Sequence, residues 1–382
     1  MVGINRRRVL QSAAAGTVFL AGCMGGDEEN GNGGGSENGS GNGGGNGDDE
    51  VLGDPEYTEG RPEPGGTSMG DMPDLEGEVI VYSGRSQPRV GELMDYIDGL
   101  YDDLTLEVRY DDTDDLINAI TVEEETPADV FYGSDSQSMT FLKDEGLTTE
   151  LPDDVLDLSP EEFRDPEGNW ASFTRRFRAL ACNPEMVDVE EMPDDIFAYA
   201  EDEAFQDELM WAADQGSFQA FVTAMRVIHG EDETFEWLQT MVEDQGVVNS
   251  PGGDSGLAEA VGAGEVSAGF TNHYTLRDQP EGAIELAFTD GDAGAMFNVT
   301  GGTVIEGTDN QESAEQFVAH LLSAEAQEYF ATTTWEYPSI EEVEPIEEVP
   351  GTDEFSPPEY DLNELAELEA TLDMLHELGI ET

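Results

Sequence analysis

The sequence predicts an α/β protein with parallel strands. Short apolar runs, such as Val-Ile-Val-Tyr over 79–82 and Ala-Asp-Val-Phe-Tyr over 128–132, have strand length and end in small polar residues. Stretches with apolar residues at helical spacing separate them, and the alternation recurs along the chain. That pattern argues for a parallel sheet flanked by helices. Ligands of such sheets sit beyond the carboxyl ends of the strands, so the loops there are the first candidates for a site.

In order, the strand over 78–82 ends in Ser83, Gly84, Arg85 and Ser86. A helix follows over 90–101, carried by Val90, Leu93, Met94, Ile97 and Leu100. Residues 104–110 alternate as a strand, and Thr113 is placed to cap the helix bearing Leu116, Ile117 and Ile120. The third strand ends at Gly133, Ser134, Asp135 and Ser136, before a helix through 147. After Cys182 the alternation resumes: a strand over 209–213, a turn at Gly216 and Ser217, and a helix over 218–229. Residues 247–248 are extended, a glycine-rich loop over 251–256 opens a short helix, and a strand over 266–270 runs into Asn272, His273 and Tyr274. Residues 298–305 are extended, 312–330 read as one long helix, and leucines over 363–378 repeat at helical spacing.

Charge narrows the class. Asp and Glu number 88 against 14 Lys and Arg, a formal charge of −74, and Lys143 is the one lysine. Such a chain repels nucleic acid and anionic headgroups. Its carboxylates run through strands and helices alike, and hydrophobic residues make up 37% of it, too many for a disordered acidic tail. A folded protein suited to high salt fits, because at molar salt the screening length falls to about 3 Å. Paired carboxylates therefore carry little catalytic information here. Cys182, in an apolar run, reads as a small buried hydrophobe.

The amino-terminal segment reads as an address and a tether. Arginines at 6–8 precede a short, weakly apolar run and then Leu-Ala-Gly-Cys over 20–23. The run is too short to span a bilayer. Paired arginines are similar to a twin-arginine signal, and the cysteine motif is similar to a lipobox in which Cys23 is lipidated. The Gly-, Asn- and acid-rich stretch that follows cannot form a core. As a coil of roughly 50 residues it would hold the folded part on the order of 40 Å from the membrane.

No catalytic constellation stands out. The chain has no phosphate loop, dinucleotide fingerprint, Cys-x-x-Cys, His-Glu-x-x-His or Gly-x-Ser-x-Gly. Of its histidines, His229, His320 and His376 fall on predicted helices, and His273 alone lies in a strand-end loop. An enzyme is not expected.

An ordered set of motifs resembles the ferric-iron solute-binding proteins of ABC importers, in a haloarchaeal lipoprotein version. The set comprises Val-Ile-Val-Tyr-Ser-Gly-Arg over 79–85, Pro-Ala-Asp-Val-Phe-Tyr over 127–132 and Gly-Ser-Phe-Gln-Ala-Phe over 216–221. It continues with Thr-Asn-His-Tyr over 271–274, Asn-Val-Thr-Gly-Gly over 298–302 and Trp-Glu-Tyr-Pro over 335–338. The resemblance implies the two-lobed class II periplasmic-binding-protein fold, each lobe a mixed, mostly parallel sheet flanked by helices. It implies hinges near 178–183 and 292–300 and a ligand gripped by hinge closure. The organisation implied is a signal over 1–22, a flexible acidic linker over 23–77, a first lobe from 78–180 plus 298–344 and a second over 181–297. A segment over 345–382 follows, its amphipathic helix packed on the body. The protein would be exported, anchored to the outer membrane face through Cys23 and monomeric, with a permease and ATPase as partners, and it would have no catalytic cofactor.

The family binds iron through paired tyrosines, a carboxylate and a histidine. By the resemblance, the tyrosine pair falls on Tyr274 and Thr275, so one tyrosine is present. The histidine position falls on or near Ser86, the carboxylate on Asp135 with Ser134 as the other register, and His273 is a further nitrogen donor. Tyr274, Asp135 and His273 are thus the implied metal donors. A synergistic anion would sit at Gln215, Gly216 and Ser217, with Asn272 in support and helix N–H groups as donors. The ligand stays open between Fe(3+), alone or with an anion, and a small organic solute such as thiamine, a polyamine or a phosphonate-type anion. Arg85, Arg175, Arg176, Arg178 and Arg277 either recognise an anion or neutralise local acids.

Overall fold

The computed structural model describes residues 52–122, 126–352 and 354–382; Cys23 and the signal and linker motifs lie outside them. The first lobe opens with β1 (Gly77–Ser83), α1 (Gln87–Leu100), β2 (Leu104–Tyr110), α2 (Thr113–Val122), β3 (Val130–Gly133) and α3 (Ser136–Asp144). β1 lies between β2 and β3 and runs parallel to both. Val79 and Val81 of β1 are fully buried against Val90, Leu93 and Ile97 of α1, as the apolar spacing requires.

The strand that organises the molecule is β4 (Ala171–Cys182). Through Phe177 it pairs with antiparallel β8 (Phe297–Ile305), which in turn pairs with β3. From Arg178 onward it pairs with β7 (Ala268–Asn272), in register Arg178 with Asn272. One continuous strand thus leaves the first sheet and enters the second between Phe177 and Arg178, at the edge of the first expected hinge. Sequence reading missed β4, because Arg175, Arg176 and Arg178 break its apolar pattern.

The second sheet continues β4–β7–β5–β6, with β5 (Leu209–Trp211) parallel to both β7 and β6 (Val248–Asn249). α4 (Gly216–His229), α5 (Glu231–Glu243) and α6 (Gly253–Gly262) complete it. Its core is aromatic: Phe221 stacks on Phe270 with centroids 6.2 Å apart, and Trp237 meets Phe270 edge-on. Parallel strands thus form the heart of each sheet; β8 runs antiparallel within the first, and β4 runs antiparallel through both.

Two expectations need correction. The helix expected over 312–330 is broken into α7 (Gln311–His320) and α8 (Ala324–Tyr329), because the Ser323 hydroxyl accepts the Ala326 N–H at 3.2 Å and starts a new helix. Second, the stretch from residue 52 to 76, expected as flexible linker, packs on the first lobe. Met69 and Leu75 are buried, and Arg61 makes a two-pronged pair with Glu328, its Nε 2.6 Å from Oε1. At the carboxyl end, a 3₁₀ turn (Leu362–Ala366) leads to α9 (Leu368–Glu377) on α4, where Arg226 donates to the Thr371 hydroxyl at 2.9 Å. Among the described residues no helix is long and apolar enough to cross a membrane.

Candidate functional site

The carboxyl end of β3 faces those of β5 and β7 across a groove holding a cavity of about 190 Å³. Ser134, Asp135, Arg176 and Asn298 line it from the first lobe; Gln215, Gly216, Ser217, Asp254, Asn272 and Tyr274 line it from the second. Arg178 and Met296 form its floor near the crossing strands. Three larger cavities lie elsewhere. One of about 530 Å³ is edged by Glu150, Asp153 and Glu167, one of about 760 Å³ lies between Phe163, Phe297 and the carboxyl-terminal segment, and one of about 490 Å³ runs along Pro184, Met186, Asp188 and Glu285. None meets the carboxyl ends of the parallel strands, where this fold assembles ligand sites.

On the first wall, Asp135 caps α3, its Oδ1 accepting the Ser138 N–H at 2.8 Å. The Ser134 hydroxyl donates to Asp135 Oδ2 at 3.2 Å and accepts from Thr113 at 2.8 Å. Gly84 permits this approach of loops, since a Cβ there would lie 2.5 Å from Thr113 Oγ1. The Arg176 guanidinium donates to the Ser134 carbonyl, and its buried Nε has no partner.

On the second wall, Asp254 at the start of α6 organises the polar groups. Its Oδ2 accepts from the Ser217 hydroxyl and from Asn272 Nδ2, each at 3.0 Å. Asn272 Nδ2 also donates to Tyr274 Oη at 3.2 Å. Arg178 lies beneath, donating to the Phe270 carbonyl at 2.8 Å with its Nη1 3.9 Å from Asp254 Oδ1. Burial lowers the basicity of Arg178, and the Asp254 charge partly restores it. No side chain caps α4, so the N–H groups of Gly216 and Ser217 have no acceptor among the described residues. Arg89 reaches across the groove, its Cζ 5.1 Å from the Tyr274 ring centroid.

The cleft therefore gathers Ser134, Asp135, Arg176, Arg178, Gln215, Gly216, Ser217, Asn272 and Tyr274, all singled out from sequence, and adds Asp254 and Asn298. The remaining sequence candidates face elsewhere. Ser83 is buried, its hydroxyl donating to the Arg85 carbonyl at 3.0 Å and accepting the Arg85 N–H. Arg85 is held behind the wall by Glu336, Nη2 to Oε1 at 2.5 Å, and Gly84 packs against the Ser134 loop. Ser86 is exposed at the N-cap of α1 and is not among the lining residues. Thr275 is buried, its hydroxyl donating to the Asn272 carbonyl at 2.9 Å.

His273 does not face the cleft. Its Nδ1 accepts the Phe177 N–H at 3.1 Å, which puts the ring proton on Nε2, 2.9 Å from the Trp335 carbonyl. Both nitrogens are thus engaged, so the ring ties the Tyr274 turn to the crossing strand and has none free for a metal. Full burial pushes its pKa down to about 4. The folded state therefore resists protonation: His273 leaves stability intact above its ordinary pKa of about 6.5 and erodes it as pH falls toward 4. We expect this term to reach about 3 kcal/mol. Urea unfolding of His273→Gln should show a flatter loss between pH 6.5 and 4 than the parent chain; equal slopes would exclude the assignment. Among the described residues, no group of three or more His, Cys, Asp or Glu is arranged to hold a metal ion.

A family model for bacterial extracellular solute-binding proteins matches residues 125–362. The chain is 29% identical over 255 residues to iron uptake protein A2 of Synechocystis, covering 62% of this chain and 72% of the relative. It is 26% identical over 266 residues to the Fe(3+)-binding periplasmic protein of Serratia marcescens, covering 66% and 76% respectively. Its fold is similar to that of iron-bound HitA from Pseudomonas aeruginosa, with TM-score 0.72 and 24% identity over 79% of this chain and 99% of that one. The family match spans more than half of the chain and takes in the second sheet, the crossing strand, β3 and β8 of the first sheet and the residues lining the cleft, and we conclude that this chain belongs to the bacterial extracellular solute-binding protein family.

Proposed function

We propose that the protein is the capture component of an ABC importer, taking ferric iron that arrives with a small chelating anion. The single observation that carries this reading is the Tyr274 phenol on the cleft wall, hydrogen-bonded to Asn272 and facing Arg176 across the groove. Ferric iron displaces the phenol proton to solvent as the iron–oxygen bond forms. Tyr274, Asp135 and Asp254 offer too few oxygens for an octahedral ion, and His273 is turned away, so a chelator or water completes the shell. Arg176, with a free Nε, is placed to hold a chelator carboxylate. The iron-binding names of the relatives support the same ligand.

The signal and Cys23 motifs support export and lipid anchoring, with a monomer presenting its loaded cleft to a permease and ATPase. The dispersed acidity supports a working environment of high salt. In molar KCl, ferric citrate at about a hundred times its Kd should raise the melting temperature by several degrees, the thermal counterpart of about 2.7 kcal/mol. Citrate alone should not. Arg176 and Arg178 on the cleft keep a second reading, a phosphonate-type anion, in play. A melting shift with such an anion and none with ferric citrate would select it.

A further inference from the structure

The cleft holds a feature that neither the family resemblance nor the proposed ligand assigns. Ser217 and Asn272, the side chains expected to grip a separate anion at the start of α4, both donate to Asp254 Oδ2 at 3.0 Å. The side-chain donors of the seat for an external anion are already engaged by a carboxylate of the chain itself. Asn272 joins that carboxylate to the phenol, because the same Nδ2 lies 3.2 Å from Tyr274 Oη; the two oxygens are therefore no more than about 6 Å apart.

The other carboxylate oxygen is unusual. Asp254 Oδ1 is buried and accepts no hydrogen bond. Its nearest cation, Arg178 Nη1, is 3.9 Å away, beyond hydrogen-bond reach, and that guanidinium already donates to the Phe270 carbonyl. A buried carboxylate oxygen without a donor is costly, and a group that fills the position recovers that cost. The Asp254 side chain lines the same cavity as Tyr274. A free anion entering here would meet the negative charge of Asp254, whereas a metal cation would be drawn to it.

We infer that Asp254 serves as a built-in anion: Oδ2 occupies the anion seat, and Oδ1 is a metal ligand beside Tyr274. The inference rests on the reading of the cleft as an iron site. It makes iron capture independent of a second anion at the start of α4, beyond any chelator held at Arg176, and gives the second lobe two protein oxygens on one ion, before the first lobe closes.

The test loads the full chain from ferric nitrilotriacetate in degassed buffer, with and without bicarbonate, and follows the phenolate-to-iron absorption band. In the parent chain, bicarbonate should change iron affinity by less than about twofold. Asp254→Asn should bind iron about 10–100-fold more weakly without bicarbonate, the loss typical of disturbing a ligand set. Bicarbonate should then restore much of that affinity, because the neutral amide leaves the seat to the added anion. Tenfold or greater tightening of the parent chain by bicarbonate would overturn the assignment while leaving iron capture standing, and so would an Asp254→Asn chain that binds like the parent. Absence of the band in the parent under both conditions would overturn the iron reading itself. If Asp254→Asn does not fold, the bicarbonate response of the parent chain decides alone.

Discussion

Glu336→Ala is expected to destabilise the protein by about 3–5 kcal/mol, the cost of stranding a buried charge. Arg85 and Glu336 are 7% and 1% exposed, and Nη2 lies 2.5 Å from Oε1. The second carboxylate oxygen accepts from the Thr174 hydroxyl at 2.8 Å, and Arg85 Nε has no partner at all. Removing the carboxylate leaves the guanidinium buried with no other anion in reach. Relief of the overall negative charge does not compensate, because that repulsion is spread over the hydrated surface. Burial alone would raise the Glu336 carboxyl pKa, but Arg85, with Arg176 and Arg89 beyond it, holds it below the usual range. The pair's contribution is therefore present above the ordinary carboxylate pKa and is lost as pH falls through the lowered folded value. Replacing both partners, Arg85→Met with Glu336→Leu, should recover most of the stability, since neither charge is then stranded. A urea double-mutant cycle reads both terms. A Glu336→Ala loss under about 1 kcal/mol would show that water or another group already compensates Arg85.

The same pair shows where sequence reading stops. Arg85 stands in a strand-end loop, so position alone made it a cleft candidate. Glu336 lies some 250 residues away, and only the fold brings the two together. The strands and helices around β1 and β3 were legible because their apolar residues face one core and repeat with the period of the element. β4 was not. Arg178 is buried and Arg175 and Arg176 are half-buried, and a central crossing strand has no exposed face to enforce an alternating pattern.

The cleft was legible to the extent that it is built from strand ends: Asp135, Gly216, Asn272 and Tyr274 follow from topology. His273 misled because it adjoins Tyr274. In the 3₁₀ turn His273–Asp278, successive side chains diverge by about a third of a revolution, so Tyr274 and His273 cannot both enter the groove. Asp254 was hidden for another reason. Among 88 acidic residues, one more carries no signal until its oxygens are placed.

Tyr274→Phe carries the second large effect. The ring is half-buried under Arg89, and the hydroxyl makes one bond, to Asn272, so the variant should keep its fold and its melting temperature within a few degrees. What it loses is the one phenol that lines the cavity among the described residues. Since disturbing even the surroundings of a metal ligand costs about 10–100-fold, loss of the ligand itself should weaken iron binding by at least about 100-fold. Visible titration of parent and Tyr274→Phe chains with ferric nitrilotriacetate is the most direct measurement. A saturable charge-transfer band is expected in the parent and none in the variant. A variant that shows the same band at the same iron concentration would contradict that expectation.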